Sequence, residues 1–213
     1  MERIDEAVRR ILTMKYNVGL FANPYPEKEA IGQFGKPEYK DFAFEAAAEA
    51  TTLLKNTNNI LPLKPGIKIL VAGPSAQSKA ALNGAWSYTW QGKDEKWYPE
   101  SELTILEAFQ QKIGRENVIT TSGIGYDDPA NFEVKALRDA AQNVDAVVLC
   151  LGENAYAESP GNIFTLDMPT EQKELIRAAK SSGKPVIVVL NQGRPLFITD
   201  MVNEMDAILL AYW

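Results

Sequence analysis

Residues 143–161, NVDAVVLCLGENAYAESPG, decide the fold. Positions 145–151 form a nearly continuous apolar run, the pattern of a strand covered on both faces. Gly152 ends it, and a loop rich in Gly, Asn, Ser and Pro follows, carrying Glu153 and Glu158. Four further runs read as strands, at 68–72, 118–121, 185–190 and 206–211, and helical patterns lie between them at 104–113, 133–142 and 170–181. Thr104 and Glu107 have capping-box spacing. Thr170 is a candidate N-cap, with Glu171 and Glu174 in the first turn and Gly183 just past the end. Strands alternating with helices predict an α/β fold: a mostly parallel sheet with helices on both faces, an α/β sandwich.

Upstream, Ile4, Ala7, Val8, Ile11 and Leu12 recur at helical spacing, so 2–16 is expected to be an amphipathic helix stopped near Gly19. The stretch NPYPEKEAIGQFGKPEY brings three prolines and two glycines among charged residues and reads as an irregular linker. An Ala-rich second helix is expected over 37–54. The expected organisation is therefore a terminal helix of a missing domain over 1–20, a linker over 21–37, and the α/β domain over 38–213. That domain stops at LLAYW, directly on its last strand, and is expected to be incomplete at its C-terminal end.

The chain has 213 residues, 46% hydrophobic and 23% charged, with a net charge of −6 and its 22 Lys and Arg scattered. An acidic chain without a basic stripe is a poor match to a phosphate backbone, so no nucleic-acid partner is expected. No apolar stretch has the length of a membrane span. The single cysteine, Cys150, lies inside VVLCL and reads as a buried, inert thiol. There is no histidine, which removes Ser-His and Cys-His nucleophiles and His-based zinc sites from this chain. Acid–base chemistry is left chiefly to carboxylates, Lys or Tyr.

In a parallel sheet the loops after successive strands gather on one edge, here 73–92, 122–131, 152–169 and 191–195. NGAWSYTWQG, at 83–92, places Trp86, Tyr88 and Trp90 within five residues. Such faces suit the C–H surface of a sugar ring, or equally a neighbouring domain packed on them. Glu153 and Glu158 read either as solvated loop carboxylates or as a pair in which burial or like charge makes one a general acid. GPSAQSKAALNG after the 68–72 strand contains neither glycine fingerprint of a nucleotide-binding loop.

Taken in order, these segments resemble family 3 of the glycoside hydrolases, the β-glucosidase group. IDEAVRRILTMKYNVGLFANPY is similar to the closing helix of that family's barrel domain and the start of its linker. EAAAEATTLLKNTNNILPLK resembles the opening of its second domain, and NGAWSYTWQG its aromatic sugar-site loop. GENAYAESPGN with LDMPTEQKELI resembles its acid/base segment, and GKPVIVVLNQGRP and DAILLAYW the strands that follow.

The resemblance implies that Glu158 is the general acid/base, with Glu153 in reserve. It also implies that Trp90, and more weakly Trp86, stack on substrate. It implies retaining hydrolysis of β-linked oligosaccharides or aryl glucosides, with no metal or organic cofactor. The nucleophile would be an aspartate of the missing barrel domain, not a residue of this chain. The isolated fragment is then expected to be inactive and prone to self-association through its tryptophans, and the family implies a periplasmic or secreted location. A different class stays open, a non-catalytic binding or interaction domain of flavodoxin-like shape.

Overall fold

The computed structural model describes residues 1–121, 124–126, 128–129 and 132–213. The chain divides into two compact units, Met1–Ala46 and Ala47–Trp213.

In the first unit, α1 (Glu2–Asn17) is the expected amphipathic helix, with Glu6 ion-paired to Arg3 and Arg10 on its polar side. Its apolar positions Ile4, Val8, Ile11 and Leu12 are all exposed. The linker holds one short 3₁₀ segment, Lys28–Gln33.

The helix expected over 37–54 is shorter. α2 (Pro37–Ala50) ends where Thr51 turns its hydroxyl back onto the Ala47 carbonyl (3.0 Å), and residues beyond it form a strand, β1 (Thr52–Asn56). Leu53 and Leu54 continue a helical pattern locally, but β1 supplies hydrogen-bond partners to a sheet edge that would otherwise be bare. It pairs antiparallel with the last strand, Thr52 opposite Leu210 and Asn56 opposite Ala207, with a bulge between Leu53 and Lys55.

The other strands are β2 (Ile69–Ala72), β3 (Val118–Ile119), β4 (Ala146–Gly152), β5 (Val186–Asn191) and β6 (Ala207–Leu210), all parallel to one another. The helices between them are α3 (Lys79–Asn83), α4 (Ile105–Ile113), α5 (Val134–Ala141) and α6 (Thr170–Lys180). The short α3 carries no strong sequence signal; Ser78 caps it by accepting the Ala81 N–H. The capping box on α4 is formed in full. Thr170 is not the cap of α6: Pro169 occupies that position without a side-chain bond, and Thr170 is the first helical residue.

All seven residues of β4 are buried. Because side chains alternate along a strand, Leu70, Val147, Leu149 and Leu151 face α5 and α6 through Leu137, Leu175, Ile176 and Ala179. Ile69, Val71, Ala146, Val148 and Cys150 face the opposite core, closed by Leu106 of α4. Both faces of the sheet are thus covered by helices.

The sheet order is β1-β6-β5-β4-β2-β3. From β2 the chain moves outward to β3 and then returns to β4 on the other side of β2. The loops leaving β2 and β4 diverge at that reversal, which opens the crevice where ligands bind in sheets of this kind. These are the loops that carry the aromatic cluster and the two glutamates.

Candidate active site

β4 ends on Gly152, at φ 129°, where a Cβ would lie 1.9 Å from the Asn191 carbonyl oxygen. Only glycine lets the ends of β4 and β5 run this close. Gln172 of α6 holds the same residue from behind, accepting the Gly152 N–H (2.9 Å) and donating to its carbonyl (2.7 Å).

Glu153 follows directly, and both its oxygens are occupied by Arg194. Oε2 accepts the Arg194 backbone N–H (3.0 Å), while Oε1 accepts Nε (2.7 Å) and pairs with Nη2 (2.5 Å). The side chain is 9% exposed. Arg194 also donates from Nη1 to the Gly161 carbonyl (2.5 Å) and stacks its guanidinium 3.7 Å from the Tyr156 ring centroid. Burial, reinforced by the Glu153 charge, pushes the Tyr156 hydroxyl above its ordinary pKa, so it stays neutral. Glu153, Tyr156 and Gly161 are thus gathered around one guanidinium.

Glu158 stands differently. It is exposed, and its carboxylate makes no hydrogen bond or ion pair among the described residues. Its backbone sits at φ 52°, ψ −147°, a region that residues with a Cβ rarely occupy and that costs about 1–3 kcal/mol. The chain on either side is fixed. The Gln91 amide accepts the Ala157 N–H (3.2 Å) and donates to the Ala157 carbonyl (3.0 Å). The Glu158 carbonyl itself accepts the Gly161 N–H (2.9 Å).

The aromatic loop closes on itself through the Trp86 N–H to the Trp90 carbonyl (3.1 Å). Gly92, at φ 68°, would place a Cβ 2.2 Å from the Gly84 carbonyl oxygen, so the closure needs glycine. Tyr98 fastens the base of the loop by donating to the Gly92 carbonyl (2.7 Å). Trp86 is 68% exposed and Trp90 47%, so neither is covered within the described chain. Trp86 also has a positive φ, 56°. Strained backbone therefore recurs at Trp86 and Glu158, which line the same cavity.

That cavity, about 660 Å³, takes in Trp86, Tyr156, Glu158, Asn162, Arg194 and Trp213. Trp90 is not among its lining residues. A neighbouring hollow of about 330 Å³ shares Tyr156 and Arg194 and includes Glu153. Part of the 122–131 loop lies outside the described residues.

Of the residues singled out from sequence, Trp86 and Glu158 are brought to one cavity, and Glu153 is drawn into an ion pair. Sequence reasoning missed Gln91, Tyr156, Arg194 and Trp213. Arg194, Gln91 and Tyr156 had a signal, since the loops 191–195, 73–92 and 152–169 were all expected on this edge; Trp213 carries no pattern that marks it. Asn191 Oδ1, Gln192 Oε1 and Trp213 Nε1 are buried with no hydrogen-bond partner among the described residues. The arrangement offers an unencumbered carboxylate beside aromatic surface. Among the described residues no cluster of three or more His, Cys, Asp or Glu is arranged to hold a metal, and no helix is long and apolar enough to cross a membrane.

A family model described as the glycosyl hydrolase family 3 C-terminal domain matches residues 51–213. A lysosomal beta glucosidase of Dictyostelium discoideum is 38% identical over 99% of this chain and 27% of its own length. A beta-xylosidase of Formosa agariphila is 35% identical over 100% of the chain and 30% of its own. The crystal structure of a beta-glucosidase from Listeria innocua in complex with gluconolactone superposes with a TM-score of 0.78 at 30% identity. It covers 100% of this chain and 28% of that one. The chain spans less than a third of the length of these relatives.

Proposed function

Since the chain belongs to glycosyl hydrolase family 3 through its C-terminal domain, we propose that it is the acid/base-bearing part of a retaining β-glycosidase. Glu158 protonates the departing glycosidic oxygen, then takes a proton from the water that releases the sugar from the enzyme. Trp86 and Trp90 supply stacking surface on the same side. The nucleophile, a second carboxylate about 5–5.5 Å from the first, comes from a barrel domain outside this chain. Terminal β-linked glucosides are the substrates put first, with xylosides second, in keeping with the names of the relatives.

The observation that carries this reading is the contrast between the two glutamates. Glu153 has both oxygens engaged by Arg194, whereas Glu158 has none engaged among the described residues and lines an open cavity with Trp86. Glu153, the reserve choice, would have to break a buried ion pair before moving a proton. A non-catalytic flavodoxin-like role shares the order of the parallel strands, but a fold order alone names no activity.

The test is Glu158→Gln in a full-length family 3 protein carrying this chain. Hydrolysis of glycosides with poor leaving groups should slow by about 10²–10⁴-fold, and activated aryl glycosides should suffer less. An unchanged rate on disaccharides would remove Glu158 from the role. The 213-residue chain alone should not turn over an activated aryl β-glucoside, and its exposed tryptophans should make it self-associate.

A further inference from the structure

Glu158 is held in a conformation that its own chemistry disfavours, and something must pay that strain. Among the described residues, two side chains from outside hydrogen-bond the loop from 153 to 161. One is Arg194, which binds Glu153 at its start and the Gly161 carbonyl at its end. The other is Gln91, whose amide takes both backbone groups of Ala157, the residue next to Glu158, at 3.2 and 3.0 Å. Gln91 follows Trp90 directly, and its loop is closed by the Trp86–Trp90 bond. A single amide thus joins the aromatic loop after β2 to the glutamate loop after β4 across the crevice.

We infer that Gln91 is a positioning residue for proton transfer: by fixing the Ala157 peptide it maintains the strained Glu158 backbone and so the reach of the carboxylate. The inference rests on the proposed role of Glu158. Bonds to both backbone groups of Ala157 hold the peptide on either side of it, so Glu158 inherits a defined direction. Without Gln91, Ala157 presents its N–H and carbonyl to water, and Glu158 relaxes toward ordinary φ. The carboxylate then leaves the position it needs, and small misplacements of a catalytic group are expensive, about 10²-fold for 1 Å.

The experiment uses a full-length family 3 protein carrying this chain and the variant Gln91→Met, which keeps the side-chain volume and removes both hydrogen bonds. The readout is kcat and KM over aryl β-glucosides of graded leaving-group pKa, with thermal unfolding alongside. The expected result is a fall in kcat/KM of about 10–100-fold for the poorest leaving groups, shrinking steadily toward the most activated. In the double variant with Glu158→Gln, the Gln91 effect should largely vanish, because the two act through one group.

A loss equal across all leaving groups, or a rise in KM alone, would overturn the inference and make Gln91 a support for sugar stacking. So would additive losses in the double variant. Failure of the underlying reading looks different: Glu158→Gln alone would show no dependence on leaving group. Gln91→Glu is the second variant. It sets a carboxylate against the Ala157 carbonyl and should repeat the leaving-group pattern, and wild-type behaviour from it would also overturn the proposal.

Discussion

β4 and the loop that leaves it are continuous in sequence and opposite in physical character. Along β4 every residue is buried, and its backbone is paired with β2 on one side and β5 on the other. Its only ionisable group is Cys150, whose thiol burial pushes up to about 12, so it is inert near neutrality. One residue past the strand, Glu153 is still tied to the framework through Arg194. Five residues further, Glu158 has no side-chain partner among the described residues and a strained backbone. Hydrogen bonds of two side chains, Arg194 and Gln91, extend from the sheet's framework toward a carboxylate that has no partner among the described residues. The role proposed for Glu158 needs that combination: held in place, yet with no partner competing for its oxygens.

Breaking the anchor should give the largest effect on stability. Arg194→Ala removes the guanidinium and leaves the buried Glu153 carboxylate only the residue 194 backbone N–H, and unfolding free energy should fall by about 3–5 kcal/mol, measured by urea denaturation. Replacing both partners with apolar residues of similar size should cost clearly less, since no orphaned charge remains. Equal losses from the single and double changes would mean that packing of Arg194 on Tyr156, not the charge pair, anchors the loop.

The aromatic side of the crevice offers the next test. In a full-length protein, Trp90→Ala and Trp86→Ala should each weaken binding of a two-sugar inhibitor by about 1–3 kcal/mol, the scale of aromatic stacking on a planar or ring-faced ligand. A monosaccharide inhibitor should lose less. Trp86 is the one that lines the cavity with Glu158, so identical behaviour of the two would mean the aromatic loop moves when substrate binds.

Glu158→Gly sharpens the contrast from the other side. Glycine adopts φ near 50° without the clash of a Cβ, so folding stability should rise by roughly 0.5–1 kcal/mol while acid/base catalysis is lost. A destabilised glycine variant would argue that the Glu158 side chain contributes packing that the structure does not show.

The strand is tested by pH. Because the folded thiol of Cys150 has a raised pKa, its contribution to stability is whole below the unfolded value of about 8.5 and is lost as pH rises toward 12. The urea midpoint should therefore drop between pH 8 and pH 11, and drop less in Cys150→Ala. A native thiol that reacts readily with an alkylating agent at pH 8 would contradict this burial.

The α/β class, the five parallel strands to within a residue or two at most ends, and the capping box at Thr104 were all legible in the amino-acid order alone. These are local or periodic facts: apolar runs of strand length, helical spacing, and a side chain bonding three residues away. The sequence also brought out the family resemblance, because the motifs follow one another in order along the chain. Only the tertiary structure decided that residues 52–56 form an edge strand instead of the end of a helix, since the partner, β6, lies some 150 residues away. It also decided which glutamate is free. Glu153 and Glu158 sit in one loop with similar neighbours, and what separates them is Arg194, 41 residues from Glu153, and Gln91, 66 residues from Ala157. Contacts at that separation leave no periodic trace in a single sequence, so the difference in partners between the two carboxylates appears only once β2, β4 and β5 bring their loops to one edge of the sheet.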